Sequence, residues 1–160
     1  MAREISVRRA RREDLPEIVR LLADDELGSR REQFTLPLPE AYYDAFREMD
    51  GDPHNWLVVA EAGGEIVGTL QLTFIAGLTH QGARRAQIEG VRVERRHRGR
   101  GVGRRLFECA IEQAREQGCR MVQLTTDNSR PDALRFYQGL GFVASHVGLK
   151  LHLRRGPELS

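Results

Sequence analysis

Val91-Arg92-Val93-Glu94-Arg95-Arg96-His97-Arg98-Gly99-Arg100-Gly101-Val102-Gly103-Arg104-Arg105 is the stretch on which the reading of this chain turns. It runs from a β-rich segment, through four polar residues, into evenly spaced glycines and then an apolar-periodic helix. A strand that feeds a glycine turn into a helix N-terminus aims unpaired backbone N–H groups and the positive end of the helix dipole at one point. Such a point favours phosphate. Gly99, Gly101 and Gly103 let the backbone come close, and Arg98, Arg100, Arg104 and Arg105 add charge for a polyanion.

Two phosphate ligands are excluded by spacing. A nucleoside triphosphate loop needs GxxxxGK[ST], and the only lysine is Lys150. A dinucleotide fold needs GxGxxG directly after its first strand, whereas here three β-rich runs precede the loop and too little chain follows to complete that sheet.

Downstream, Val102, Leu106, Ala110, Ile111 and Ala114 share one helical face, with Gly118 as the stop. Met121 to Thr126 reads as a strand, and Pro131 opens a shorter helix carrying Ala133, Leu134 and Tyr137 on one side. Phe142 to Leu153 predicts one or two closing strands. Upstream, Ile5 and Val7 mark a short strand, and Leu15, Ile18, Leu21 and Leu22 a helix. Residues 23–55, with Tyr42, Tyr43 and Phe46, read as a helical flap outside the core. Trp56 to Glu61 and Glu65 to Ile75 form a hairpin about Gly63-Gly64, and Ala86 to Val93 is a third run in which Gly90 suggests a bulge. This order predicts an α/β (α+β) domain over residues 1–154, mostly antiparallel, with one right-handed β-α-β crossover across residues 86–126, and a frayed tail over 155–160.

Composition agrees with one domain: 160 residues, 40% hydrophobic and 30% charged. No run approaches the roughly 18 apolar residues that span a bilayer, and the first residues lack a signal-peptide core, so a cytoplasmic protein without a membrane partner is expected. Cys109 and Cys119 stand about 15 Å apart along one helix and cannot pair, and the five histidines are scattered, so no metal is predicted. A net charge of +2 does not predict a nucleic-acid binder, although seven arginines lie between Arg92 and Arg105.

Arg98-Gly99-Arg100-Gly101-Val102-Gly103 resembles the Arg/Gln-x-x-Gly-x-Gly/Ala motif of the GNAT superfamily of acyl-CoA-dependent N-acyltransferases. Val91-Arg92-Val93 before it, and Ala133-Leu134-Arg135-Phe136-Tyr137-Gln138-Gly139-Leu140-Gly141-Phe142 after it, resemble the family in order and spacing. The resemblance covers the chain outside residues 23–55. It implies a GNAT-like sheet whose strands splay to hold coenzyme A, with acetyl-CoA as co-substrate. By the same resemblance the amides of Arg98, Gly99, Arg100, Gly101, Val102, Gly103 and Arg104 hold the pyrophosphate, with Arg104 or Arg105 reaching the remaining phosphate. Val91, Arg92 and Val93 line the pantetheine arm beside the bulge, and Tyr137 protonates the departing thiolate.

An alkyl amine is mostly protonated at pH 7, so attack needs a proton acceptor, and Glu89 is the candidate base. It shares strand parity with Val91 and Val93 unless a bulge intervenes; Gln87, where some family members carry a glutamate, cannot serve. Where the family has an asparagine contacting pantetheine, position 130 is arginine, and Asn128 is the nearest substitute. For the acceptor, Asp24, Asp25 and Glu26 suit a cationic amine, Arg30, Arg31 and His80 an acidic group, and Tyr42, Tyr43 and Trp56 can stack on either. The expected activity is therefore acetyl transfer from acetyl-CoA to a primary amine in a ternary complex. A non-catalytic acyl-CoA-binding module and an arginine-patch nucleic-acid binder are the other classes considered, and a homodimer through the closing strands is compatible.

Overall fold

The computed structural model describes residues 3–154; the tail expected to fray over 155–160 lies outside the described residues. Its centre is one sheet in the order β1 (Ile5–Arg9), β2 (Asn55–Ala62), β3 (Glu65–Ile75), β4 (Arg84–Val93) and β5 (Cys119–Leu124). Neighbours pair antiparallel except β4 and β5, which are parallel and joined by α5 (Val102–Glu116). The mostly antiparallel sheet and the single crossover are as the element order predicts. The remaining helices are α1 (Leu15–Ala23), α2 (Glu26–Arg31), α3 (Glu40–Asp50), the short turn α4 (Thr79–Gly82) and α6 (Pro131–Gly139).

The continuous run Leu57-Val58-Val59-Ala60 marks a strand covered on both sides. Val58 and Ala60 meet α5, packing with Leu70, Leu72, Ile88, Val102, Leu106, Phe107, Ala110 and Ala114. Val59 faces the opposite way, into Leu15, Ile18, Val19, Leu38 and Phe46. Glycine brings α5 close to the sheet: a Cβ on Gly68 would lie 2.9 Å from Val102 Cγ1 and 3.0 Å from Leu106 Cδ1.

Three expectations change. Residues 23–55 are not a flap outside the core, because Leu38 and Phe46 are buried and close the second face of the sheet. Ile111 is only half-buried, and Phe107 takes the central place on α5. The closing strands over 142–153 do not form. A period-2 apolar pattern signals a strand only when a ladder partner is available, and Val147, Leu149, Leu151 and Leu153 are 86 to 91% exposed with no layer over them. Among the described residues no helix is long and apolar enough to cross a membrane.

The first strand is tied to the first helix by charge. The Arg8 guanidinium donates to both Asp14 oxygens at 2.7 and 3.0 Å and to Glu61 Oε1 at 2.6 Å, while the Arg11 amide donates to Asp14 Oδ2 at 2.7 Å. The Arg8 bonds hold the Asp14 carboxyl below the ordinary carboxylate range, outweighing the opposite effect of its burial. A depressed folded value means the stabilisation is present above the unfolded carboxyl value and is lost as pH falls through the folded one. Asp14→Asn should therefore lower stability by about 2 kcal/mol at pH 7, and urea melts should show the gap closing below about pH 4. An equal gap at pH 7 and pH 3 would mean that the ion pair is not the source.

Candidate active site

The glycine loop is entered through a pinned acid. Glu94 is buried; its amide donates to Val67 O at 2.7 Å, and its carboxylate accepts from Arg96 at 3.1 Å and meets His97 Nδ1. The His97 contact holds that carboxyl below its ordinary range. Glu94 reads in the sequence as one more polar residue of the connection; only the alignment of β4 with β3, continued by its amide bond to Val67 O, fixes it at the end of the sheet.

Gly99 (φ 73°) and Gly101 (φ 85°) occupy left-handed backbone conformations with nothing within 4 Å of a built Cβ. Both are glycine for their dihedrals, and the space beside them stays open. Gly103 differs, since its Cβ would stand 3.2 Å from Phe136 Cζ on α6. The α5 ladder begins with Arg105 N donating to Gly101 O at 3.0 Å, which leaves the amides of Val102, Gly103 and Arg104 facing the loop. Arg98, Arg100, Arg104 and Arg105 are exposed around these amides, whereas the Val102 side chain belongs to the core. Donors, dipole and cations converge here, as a pyrophosphate needs.

Beside the loop the sheet opens. The β4–β5 ladder ends at Ile88 opposite Leu124, and beyond it Glu89, Arg92 and Val93 pair only with β3. Between Gln71 opposite Glu89 and Thr69 opposite Arg92, β4 carries one extra residue, and Gly90 takes φ 60° there. The bulge reverses strand parity. Val91 and Val93 pack with the α5 face, so Glu89 does not share their side, as simple alternation suggests, but the opposite face with Arg92. Glu89 is exposed.

Tyr137 on α6 packs against Phe107 at 5.4 Å, Phe136 at 5.7 Å and Phe142 at 6.2 Å between ring centroids. Burial pushes its phenol above the ordinary value, and the nearby Arg92 and Arg130 act in the opposite direction. The group is therefore a protonated donor at neutral pH. Asn128 lies exposed in a turn in which Asp127 Oδ1 accepts from the Ser129 amide at 2.8 Å.

The side chains expected to greet the acceptor are largely committed elsewhere. Asp25 Oδ1 accepts from the Gly28 amide at 2.6 Å and Oδ2 from Arg130; Glu26 pairs with Arg30 at 2.8 Å and Glu32 with Arg31 at 2.9 Å. Trp56 stacks under Arg9 and donates to Pro53 O, Tyr43 lies under Arg12, and Tyr42 donates to Glu32. What the tertiary structure gathers near Tyr137 instead is Arg92, Arg130 and Asp25. An open groove of about 880 Å³ between Arg8, Glu61, Glu94 and Arg100 lies away from Tyr137, and its charges are mostly paired with one another.

A five-stranded sheet splayed after one parallel pair, with a glycine cradle at the following helix, defines an acyltransferase architecture. The chain belongs to the acetyltransferase (GNAT) family, whose family model matches residues 19–142. It is 53% identical to a solved structure of a transcriptional regulator from Bacillus halodurans C-125, with a TM-score of 0.92 over 94% of this chain and 100% of that one. A putative acetyltransferase from Agrobacterium tumefaciens is 32% identical, with a TM-score of 0.81 over 92% and 99% of the two chains. The aminoalkylphosphonate N-acetyltransferase of Salmonella typhimurium is 33% identical over 67% of this chain and 69% of its own length. Among the curated relatives it matches, the chain spans from 37 to 69% of their length.

Gly101→Glu puts a side chain at φ 85° and a negative charge into the cradle. Calorimetric titration should show coenzyme A binding in the wild type and a loss of at least about tenfold in the variant, the size of one charge-assisted contact or more. Equal affinity would mean that the loop is only a turn.

Proposed function

We propose that this chain is an acetyl-CoA-dependent N-acetyltransferase that moves the acetyl group to a primary amine by direct attack in a ternary complex. One observation carries the reading: β4 runs past the end of β5 between a glycine cradle and a half-buried, protonated phenol. The open edge of Glu89 to Val93 offers backbone groups to the pantetheine arm, which adds there like a strand. The amides from Arg98 to Arg104 hold the pyrophosphate, Val91 and Val93 line the arm, and Asn128 stands at the turn facing it. An amide beside the Gly90 bulge polarises the acetyl carbonyl.

The neutral amine nitrogen attacks the carbonyl carbon, the carbon–sulfur bond breaks, and Tyr137 gives its proton to the leaving sulfur. Glu89, directly or through water, takes the proton that the amine loses; its exposure on the face of β4 that Arg92 shares supports this role. The reading spans residues 1–154 as one domain and includes a cytoplasmic location, where acetyl-CoA is at hand.

Tyr137→Phe should lower kcat by about 10² or more while leaving the KM for acetyl-CoA nearly unchanged, measured as thiol release with a primary amine. Unchanged kcat would remove the acid role, and binding without turnover across amines in the wild type would make the chain an acyl-CoA-binding module.

The same reading includes a two-fold dimer. Val147, Leu149, Leu151 and Leu153 alternate with Gly148, Lys150 and His152, a strand pattern whose apolar side a second copy can cover. Light scattering should report a dimer that a Leu149→Asp, Leu151→Asp double variant converts to monomer. A monomeric wild type would exclude it.

A further inference from the structure

Arg92 holds a position that packing does not explain. It lies on β4 just beyond the bulge, with a side chain only 11% exposed. Its Nη1 donates to Val91 O at 2.8 Å, its Nη2 stands 3.9 Å from Asp25 Oδ2, and its Nε is buried with no partner. A guanidinium carries five donors in a fixed fork, so most of this one is unused.

Arg130, the residue preceding α6, reaches the same Asp25 oxygen from the other side of the opening. That carboxylate already caps α2 through its second oxygen. One acid thus faces two guanidiniums. Arg130, Asp25, Arg31 and Tyr137 act on Arg92, and Asp25 is the one carboxylate among them. Burial and the Arg130 charge both push the Arg92 guanidinium below its ordinary value. A partly buried excess of positive charge is costly until an anion enters it.

The position of the excess identifies the anion's owner. The coenzyme phosphates have their own cradle at the α5 N-terminus, with Arg98, Arg100, Arg104 and Arg105 around it. Arg92 instead stands on the stretch of β4 beyond the end of β5, on the face that Glu89 shares, and Arg130 immediately precedes the helix that carries Tyr137. Of the acids that would have drawn a simple cationic amine, Asp25 and Glu26 are already engaged, and Asp24 lies exposed.

We propose that the acyl acceptor is a small amine bearing an oxyanion group, a carboxylate or phosphonate a few ångströms from its nitrogen, and that Arg92 and Arg130 seat that group. This rests on the acetyl-transfer reading for the reaction, but the seat itself is a separate property of the fold. The Arg92 fork supplies its free Nε–H and an Nη–H, Arg130 supplies a second fork, and Asp25 holds both in place. The anion so fixed keeps the amine within reach of the acetyl carbon near Tyr137.

The test is thiol release with matched acceptors: β-alanine and 2-aminoethylphosphonate against propylamine and ethanolamine. Wild type should favour the acidic pair by about tenfold or more in kcat/KM, and Arg130→Gln should reduce that ratio by about tenfold, with partial recovery in Arg130→Lys. Arg92→Gln should act in the same sense; because Arg92 is buried, Arg130→Gln is the primary variant. Equal efficiency on both pairs, or a kcat loss common to both in the variants, overturns the proposal, the latter assigning the arginines to the leaving group. A second readout does not depend on turnover. Methylphosphonate titrated into the protein saturated with coenzyme A should bind the wild type and not Arg130→Gln. If no amine releases thiol, the transfer reading fails while this titration still decides the anion seat; absence of methylphosphonate binding in the wild type refutes the seat even where amines react.

Discussion

The molecule is organised by a ladder that stops early. β4 and β5 pair from Arg84 to Ile88 and then part, although β4 continues to Val93. Backbone N–H and C=O groups in a partly covered position need partners, and here, among the described residues, no strand continues the ladder on that edge; the Val91 and Val93 carbonyls accept only from the Arg92 and Arg98 side chains. The separation is enforced rather than incidental: the extra residue at Gly90 twists β4, and on the far side Phe136 and Tyr137 of α6 pack against Phe107 of α5. The opening lies between packed elements, which is what an extended ligand requires if binding is not to involve ordering the protein.

That geometry assigns different work to arginines that the sequence presents as one cluster. Those at positions 98, 100, 104 and 105 are exposed about a helix N-terminus, where solvent screens them and a flexible polyanion can collect several. Arg92 is removed from this group by the strand it belongs to, being turned by the bulge to the opposite face and buried. Arg130 comes from 38 residues further on and meets it through Asp25. One set is a landing surface for phosphates, the other a fixed pair beside the reacting atoms.

The second face of the sheet is equally specific. Leu38 and Phe46 join α1 in covering Val59, so the segment that carries Asp25 is packed rather than draped. Tyr42, Tyr43, Asp25, Glu26 and Glu32 find partners within the fold, and of the charges that meet at Asp25 the guanidiniums are in excess. The acceptor side is thereby defined by what remains unpaired, not by what is abundant in the segment.

The local signals in the sequence were enough for the hairpin about Gly63-Gly64, the crossover, the glycine cradle and the helix bearing Tyr137, because each rests on short-range periodicity or on dihedrals that only glycine adopts readily. They were not enough where a property depends on residues far apart. Parity across Gly90 was open until the register with β3 was known, and it moved Glu89 to the face of Arg92. The alternation after Phe142 reads as strand, yet a strand exists only with a partner, and the monomer offers none there. The Arg92, Arg130 and Asp25 grouping spans 105 residues between its outer members in the Arg130 to Asp25 contact. Only the packed fold brings such groups together, since charge pairing at that separation follows from topology and not from local sequence.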